Sequence, residues 1–69
     1  MKFSEYDIVV LMCDRLKDGL KKGDKGTIVI VHDHPKKSYE VEFVDENGRT
    51  RTQVVLTQDE MQKYLREAV

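Results

Sequence analysis

YEVEFVDENGRTRTQVVL, residues 39–56, is the stretch that decides the fold. Its first five residues alternate apolar and acidic side chains, which is the period of a β-strand with one buried face. The Asn47-Gly48 pair that follows is the strongest hairpin signal in the chain. We therefore predict an antiparallel hairpin with a two-residue type I′ turn, whose register follows by counting outward. The predicted pairs are Glu46–Arg49, Phe43–Thr52, Val41–Val54 and Tyr39–Leu56.

Two more strands are predicted upstream of this hairpin. Residues 6–12 and 27–32 are rich in β-branched side chains, which favour strands. Between them lies a charged segment with three glycines, residues 13–26, which predicts a long shaped loop because glycine permits backbone conformations closed to other residues. Leu16 and Leu20 lie inside this loop, and we expect both to fold back onto the core.

The C-terminal segment has the pattern of a short helix. Residues 57–60 read TQDE, which is a capping box, and Met61, Tyr64, Leu65 and Ala68 recur at helical spacing. The whole chain is therefore predicted to be mostly β, a small SH3-like barrel of four to five antiparallel strands with a short C-terminal helix. It forms a single domain over residues 1–69, with its core at about 6–61.

Size and composition narrow the classes of function. A chain of 69 residues buries only about 60% of its unfolded surface, which leaves little material for a deep substrate cleft. The net charge of −1 lacks the basic excess that is typical of nucleic-acid-binding proteins. No apolar run is long enough to cross a membrane. The single cysteine, Cys13, cannot form an internal disulfide, which favours the cytoplasm.

The residues with chemical potential do not combine into a catalytic or metal site. His32 and His34 point the same way on an extended chain, but Cys13 is the only thiol and a structural zinc site needs four ligands. The glycine-rich loop lacks the spacing of a phosphate-binding loop. We therefore expect no enzyme activity and no cofactor.

The candidate functional surface is the outside of the sheet. If Val29, Val31, Val54 and Leu56 face inward, Ile30 and Val55 face outward, and Arg51 shares their side. An apolar centre with arginine at its rim is typical of protein-binding patches. Two other arrangements stay open: the terminal helix covers the apolar centre, or the basic side chains pair with glutamates on neighbouring strands. The candidate partner-binding residues are Ile30, Arg49, Arg51, Val55, Lys36 and Lys37.

Four stretches carry a resemblance to a known family: YDIVVL, GLKKGDKGTIV, YEVEFVDENGRT and VLT. Together they resemble the small bacterial family called domain of unknown function 4926, over about positions 6–61. The resemblance implies an SH3-like barrel in the bacterial cytoplasm and an antitoxin or immunity role. It carries over no catalytic residues.

The function expected from these observations is a non-catalytic protein-binding module, of antitoxin, immunity or defence-associated type. Its partner would be another protein, such as a toxin-like neighbour, and neither nucleic acid nor a membrane is expected. The alternatives are a KOW- or Tudor-like nucleic-acid-binding barrel and a small structural subunit of a larger complex. A homodimer also stays open.

Overall fold

The computed structural model describes residues 2–65, which form β-strands joined by turns and two single-turn 3-10 helices. We call the 3-10 segment Leu16–Asp18 the first turn and the segment Gln58–Glu60 the second turn. The strands are β1 (Ile8–Leu11), β2 (Lys25–His32), β3 (Ser38–Val44), β4 (Thr50–Leu56) and β5 (Met61–Lys63).

The five strands form one antiparallel sheet in the order β4-β3-β2-β1-β5. This confirms the predicted mostly-β class and the antiparallel pairing. β1 and β5 pair although they lie at opposite ends of the chain, with Leu11 opposite Met61 and Val9 opposite Lys63. Among the described residues, no helix has the length and apolar character needed to cross a bilayer.

The β3–β4 hairpin has the predicted core register but a different turn. Phe43 faces Thr52, Val41 faces Val54 and Tyr39 faces Leu56, as predicted. The two-residue type I′ turn is wrong, because the Asp45 N–H donates to the Arg49 carbonyl and closes a three-residue loop.

The longer loop shifts the ladder by one residue, and a bulge shifts it back. Val44 faces Thr50, so Arg51 is an extra residue on β4 between two regular pairs. These two offsets cancel, which is why the core pairs match a prediction made from the wrong turn.

A second bulge changes which residues of β2 face the core. Ile28 faces Val41 and Ile30 faces Glu40, so Val29 is an extra residue between them. Ile28 is therefore fully buried, whereas strict alternation placed Val29 inside. Val31, beyond the bulge, packs against the core as predicted.

The core lies on one side of the sheet and includes one leucine of the long loop. Leu20 is fully buried, but Leu16 is 76% exposed, so only one of the two leucines packs onto the core as predicted. A Cβ on Gly26 would lie 2.6 Å from Val41 Cγ1, so a side chain at this position of β2 would collide with β3. The buried hydrophobic residues are Phe3, Val9, Leu11, Leu20, Ile28, Tyr39, Val41, Phe43, Val54, Leu56 and Met61.

The predicted C-terminal helix is not formed by the described residues. The capping box exists: the Glu60 side chain accepts from the Thr57 N–H, and the Thr57 side chain accepts from the Glu60 N–H. It closes only the second turn, however. Residues 61–63 then continue as β5, since β1 offers them an open row of backbone hydrogen-bonding groups. Of the predicted helix face, Met61 is buried, Tyr64 and Leu65 are exposed, and Ala68 lies outside the described residues.

An arginine joins the long loop to the second turn. Arg15 Nη1 lies 2.9 Å from Glu60 Oε2, and Arg15 Nε lies 3.1 Å from Asp18 Oδ2. The Asp18 hydrogen bond is the largest influence on Arg15 and raises the pKa of its guanidinium. The same Glu60 carboxylate therefore closes the second turn and holds the loop.

Candidate functional site

The side of the sheet that faces away from the core, here called the outer face, carries a row in which two exposed aliphatic side chains flank one carboxylate. Ile8 and Val44 are also exposed on this face, beside Glu42. Ile30 on β2 and Val55 on β4 both pair with Glu40 on β3, so the three residues form one row across the sheet. Ile30 is 41% exposed and Val55 is 53% exposed. The terminal helix that was an alternative cover for them is absent from the described residues, and Met61 lies in the core instead.

Two polar side chains hold the carboxylate of Glu40. His32 Nε2 lies 2.6 Å from Glu40 Oε2, and Gln53 Nε2 donates to Glu40 Oε1 at 2.8 Å. The hydrogen bond from His32, followed by that from Gln53, lowers the pKa of Glu40 below its ordinary value. Because an ionised carboxylate only accepts hydrogen bonds, His32 must carry its hydrogen on Nε2. The carboxylate is therefore charged and fixed in direction.

Arg51 does not point to the Ile30–Val55 row as the alternation predicted. The bulge redirects its side chain, whose guanidinium donates to the Gly19 carbonyl and lies 3.9 Å from Asp24 Oδ2. Both contacts are with the long loop, so Arg51 fastens the β3–β4 hairpin to that loop.

The other predicted basic residues lie away from the row. Lys36 and Lys37 follow β2 in the exposed connection to β3, and Lys37 Nζ lies 3.8 Å from Asp33. Arg49 is exposed at the end of the hairpin loop, where its backbone carbonyl accepts from Asp45. The structure thus brings together Ile30 and Val55 from the predicted set, and adds His32, Glu40 and Gln53, which the sequence analysis did not select. The predicted hairpin register already places Val55 opposite Glu40, but no register between β2 and β3 was predicted, so the sequence did not bring Ile30 to the same row.

A second group of exposed residues lies where β1 and β5 meet, and we call it the tyrosine groove. Its walls come from Tyr6, Asp7, Ile8, Lys25 and Tyr64. Tyr6 is 74% exposed and has a φ of 69°, a left-handed conformation that is strained for an aromatic residue. Lys25 Nζ lies 4.2 Å from the centre of the Tyr64 ring. The helical spacing of Met61, Tyr64, Leu65 and Ala68 places Tyr64 on a helix face, so the sequence alone does not predict this cluster.

The residues considered for metal binding or nucleophilic chemistry are dispersed. His32 is engaged with Glu40, while His34 is exposed in the β2–β3 connection. Cys13 is half-buried and packs against the core. Within residues 2–65, no three histidine, cysteine or acidic side chains lie close enough to hold a metal ion.

Comparison with known proteins gives one match. A family model described as Domain of unknown function (DUF4926) matches residues 5–63. No curated protein and no solved structure matches the chain.

Proposed function

This chain belongs to the family described as Domain of unknown function (DUF4926), and from that premise we propose that it is a non-catalytic protein-binding module. The observation that carries the proposal is the row on the outer face, where Ile30 and Val55 stay exposed on either side of Glu40. Aliphatic side chains around an oriented polar group are typical of the centre of a protein interface, where the water they release contributes to affinity.

We also propose that the sheet closes as an SH3-like barrel. The strand order β5-β1-β2-β3-β4 supports this, together with the long loop between β1 and β2 and the 3-10 turn before β5. In such a barrel the core lies inside, so the outer face is the surface that remains for a partner.

The biological role that we propose is an antitoxin or immunity-type protein of the bacterial cytoplasm, whose partner is a toxin-like protein. A net charge of −1 and a single cysteine agree with a protein partner in a reducing compartment. A structural subunit of a larger complex would use the same surface, and the identity of the captured partner separates these two roles.

The experiment compares two lysine variants of the tagged full-length chain as baits in an extract of the native cells. Ile30→Lys with Val55→Lys places charge on the outer face, and Leu16→Lys is the matched control because Leu16 is equally apolar and 76% exposed on the loop. All three side chains are exposed, so both variants should keep the circular dichroism spectrum and unfold within about 0.5 kcal/mol of wild type for each substitution.

The expected result is a partner, identified by mass spectrometry, that wild type and Leu16→Lys retain and the outer-face variant loses. The partner is then purified, and its affinity for each variant is measured directly. Retention of the same partner by a folded outer-face variant would show that the outer face is not the binding surface.

The tyrosine groove supports a second candidate, which is binding of single-stranded nucleic acid. Two exposed aromatic rings beside a lysine are the elements of a base-stacking platform. The candidate ranks second because the chain has no basic excess to attract phosphates.

A further inference from the structure

We propose that Glu40 receives an arginine side chain of the protein partner, with the guanidinium on its carboxylate and the aliphatic stem between Ile30 and Val55. This inference rests on the proposed protein-binding function and adds the chemistry of the anchoring contact.

The hydrogen bonds of Glu40 leave it able to accept more. His32 occupies one site on Oε2 and Gln53 occupies one site on Oε1. An ionised carboxylate has about four acceptor sites, so one site remains on each oxygen. Two parallel N–H groups of a guanidinium can fill both remaining sites at once, whereas an ammonium group acts as a point charge. The arrangement therefore favours arginine over lysine.

The neighbours of Glu40 suit the rest of an arginine side chain. Ile30 and Val55 lie directly opposite Glu40 on the two adjacent strands. Neighbouring strands are about 4.8 Å apart, so the two aliphatic side chains are separated by roughly 10 Å with the carboxylate between them. The methylene stem of arginine can pack against such aliphatic walls while its charged end reaches the carboxylate.

In the part of the chain that the structure describes, no arginine or lysine is paired with Glu40. Within residues 2–65 the ion pairs of arginine and lysine side chains involve Arg15, Lys37, Arg51 and Lys63, and none of these pairs includes Glu40. The ionisable side chain in contact with Glu40 is His32. The Glu40 side chain is 24% exposed, so a partner can reach it. Arginine is also enriched among the residues that dominate protein interfaces, which fits a partner that supplies one here.

The test is an NMR titration of the isotope-labelled full chain with the peptide acetyl-Ala-Leu-Arg-Leu-Ala-amide. We expect the signals of Ile30, Glu40 and Val55 to shift, with a Kd on the order of 1 mM because one side chain supplies most of the contact. The same peptide with citrulline, which keeps the shape but not the charge, should bind about tenfold more weakly or worse. The lysine peptide should fall between the two.

Two glutamine variants separate a specific receptor from a generally acidic face. Glu40→Gln should weaken binding of the arginine peptide by about tenfold or more. Glu42→Gln is the control on the same strand and face. Glu42 also has aliphatic neighbours, Ile8 and Val44, but it faces Thr27 and Gln53, and the orienting hydrogen bonds of His32 and Gln53 go to Glu40. We expect it to change the Kd by no more than about twofold, since the charge of Glu42 lies outside the contact and is screened by solvent and salt. Well-dispersed amide spectra confirm that each variant is folded.

Equal losses in the two variants, equal binding of the citrulline peptide, or shifts confined to another surface would each overturn the arginine anchor. These results are separable from the protein-binding function. If the arginine peptide does not respond to Glu40→Gln but the lysine variant of the outer face still loses its protein partner, the anchor is wrong and the function stands. If the peptide binds at Glu40 while the outer-face lysine variant still captures the same protein, the outer face is not the surface that binds this partner, and Glu40 is not its anchor.

Discussion

Gly48 sets the backbone geometry at the tip of the β3–β4 hairpin. Its φ is 78°, whereas Asn47 has no positive φ, so only one of the two residues in the Asn-Gly pair uses a left-handed conformation. The Gly48 N–H donates to the Asp45 carbonyl, and the Asp45 side chain accepts from the N–H groups of Asn47 and Arg49. Asp45 thus organises the loop with its side chain, and Gly48 reverses the chain.

Replacing Gly48 with valine should destabilise the fold far more than replacing His34 with alanine. A β-branched residue at positive φ is strained, and we expect Gly48→Val to lower the free energy of unfolding by about 1–3 kcal/mol. His34 is an exposed residue of another connection, so His34→Ala should stay within about 0.5 kcal/mol of wild type. Urea denaturation of both variants measures the difference, and equal midpoints would contradict this description of the loop.

Gly26 is required for space rather than for its backbone angles. Because an added Cβ would lie 2.6 Å from Val41 Cγ1 and 2.9 Å from the Phe43 ring, Gly26→Ala must displace these two buried side chains of β3. We expect a loss of about 1–3 kcal/mol in the free energy of unfolding, as for other overpacked cores. Thr27→Ala, one residue along the strand and only half-buried, is the control. A wild-type midpoint for Gly26→Ala would show that the Val41 and Phe43 side chains can move aside without cost.

At the scale of elements, local sequence patterns predicted four of the strands but not β5, the strand that pairs with β1 at the edge of the sheet. β2, β3 and β4 follow from β-branched and alternating residues, and the inward row of Tyr39, Val41 and Phe43 fixes their register. β5 was missed because residues 57–65 have helical spacing, and the groups that convert them to a strand belong to β1, some fifty residues earlier. Pairing over such a distance leaves no local periodicity.

The candidate site was half predictable for a related reason. Alternation along β2 and β4 placed Ile30 and Val55 outward, but it could not reveal the two bulges that move Ile28 inward and turn Arg51 toward the long loop. A bulge changes the face of a side chain without changing the composition of its strand. The hydrogen bonds that orient Glu40 also required the positions of three strands at once.

The second turn should make the stability of the protein depend on acid. The pKa of Glu60 is lowered, first by the Thr57 N–H and further by Arg15, so its contribution is present above the ordinary glutamate value of 4.5 and is lost as the pH falls through the lower folded value. Glu60→Gln should therefore cost about 1 kcal/mol at pH 7 and progressively less below pH 4.5. Urea denaturation across this range measures it.

The control for this pH dependence is Glu46→Gln, an exposed position at the hairpin tip. We expect no more than about 0.5 kcal/mol at either end of the range, since surface substitutions away from specific contacts are small. A cost for Glu60→Gln that stays constant with pH would mean that the charge of Glu60 does not stabilise the turn.

At the scale of the whole molecule, the near-neutral balance of charges limits which kinds of ligand the protein can attract. Twelve basic and thirteen acidic residues nearly cancel, and the ion pairs of Arg15, Arg51 and Lys63 are made within the chain. The surface that we propose for a partner is the row of Ile30, Glu40 and Val55 on the outer face, and the tyrosine groove is the second candidate.

Binding to DNA or RNA should accordingly be weak. At physiological salt we expect a Kd no tighter than about 10⁻⁴ to 10⁻⁶ M, the range of nonspecific binding. Fluorescence anisotropy with single-stranded oligonucleotides measures it, and Tyr6→Ala with Tyr64→Ala shows whether the tyrosine groove contributes. Submicromolar affinity with a steep salt dependence, lost in that double variant, would instead establish the nucleic-acid function.

The cancelling offsets in the β3–β4 hairpin bear on how the coding sequence can change in length. Loss of one codon within a strand normally turns every later side chain to the opposite face. Arg51 is the extra residue of a bulge, so its deletion would leave Val44 opposite Thr50 and Phe43 opposite Thr52 in an unbroken ladder. The core pairs would be kept, and the contacts of the Arg51 guanidinium with Gly19 and Asp24 would be lost. This strand therefore contains one position where a deletion removes a contact and keeps the architecture.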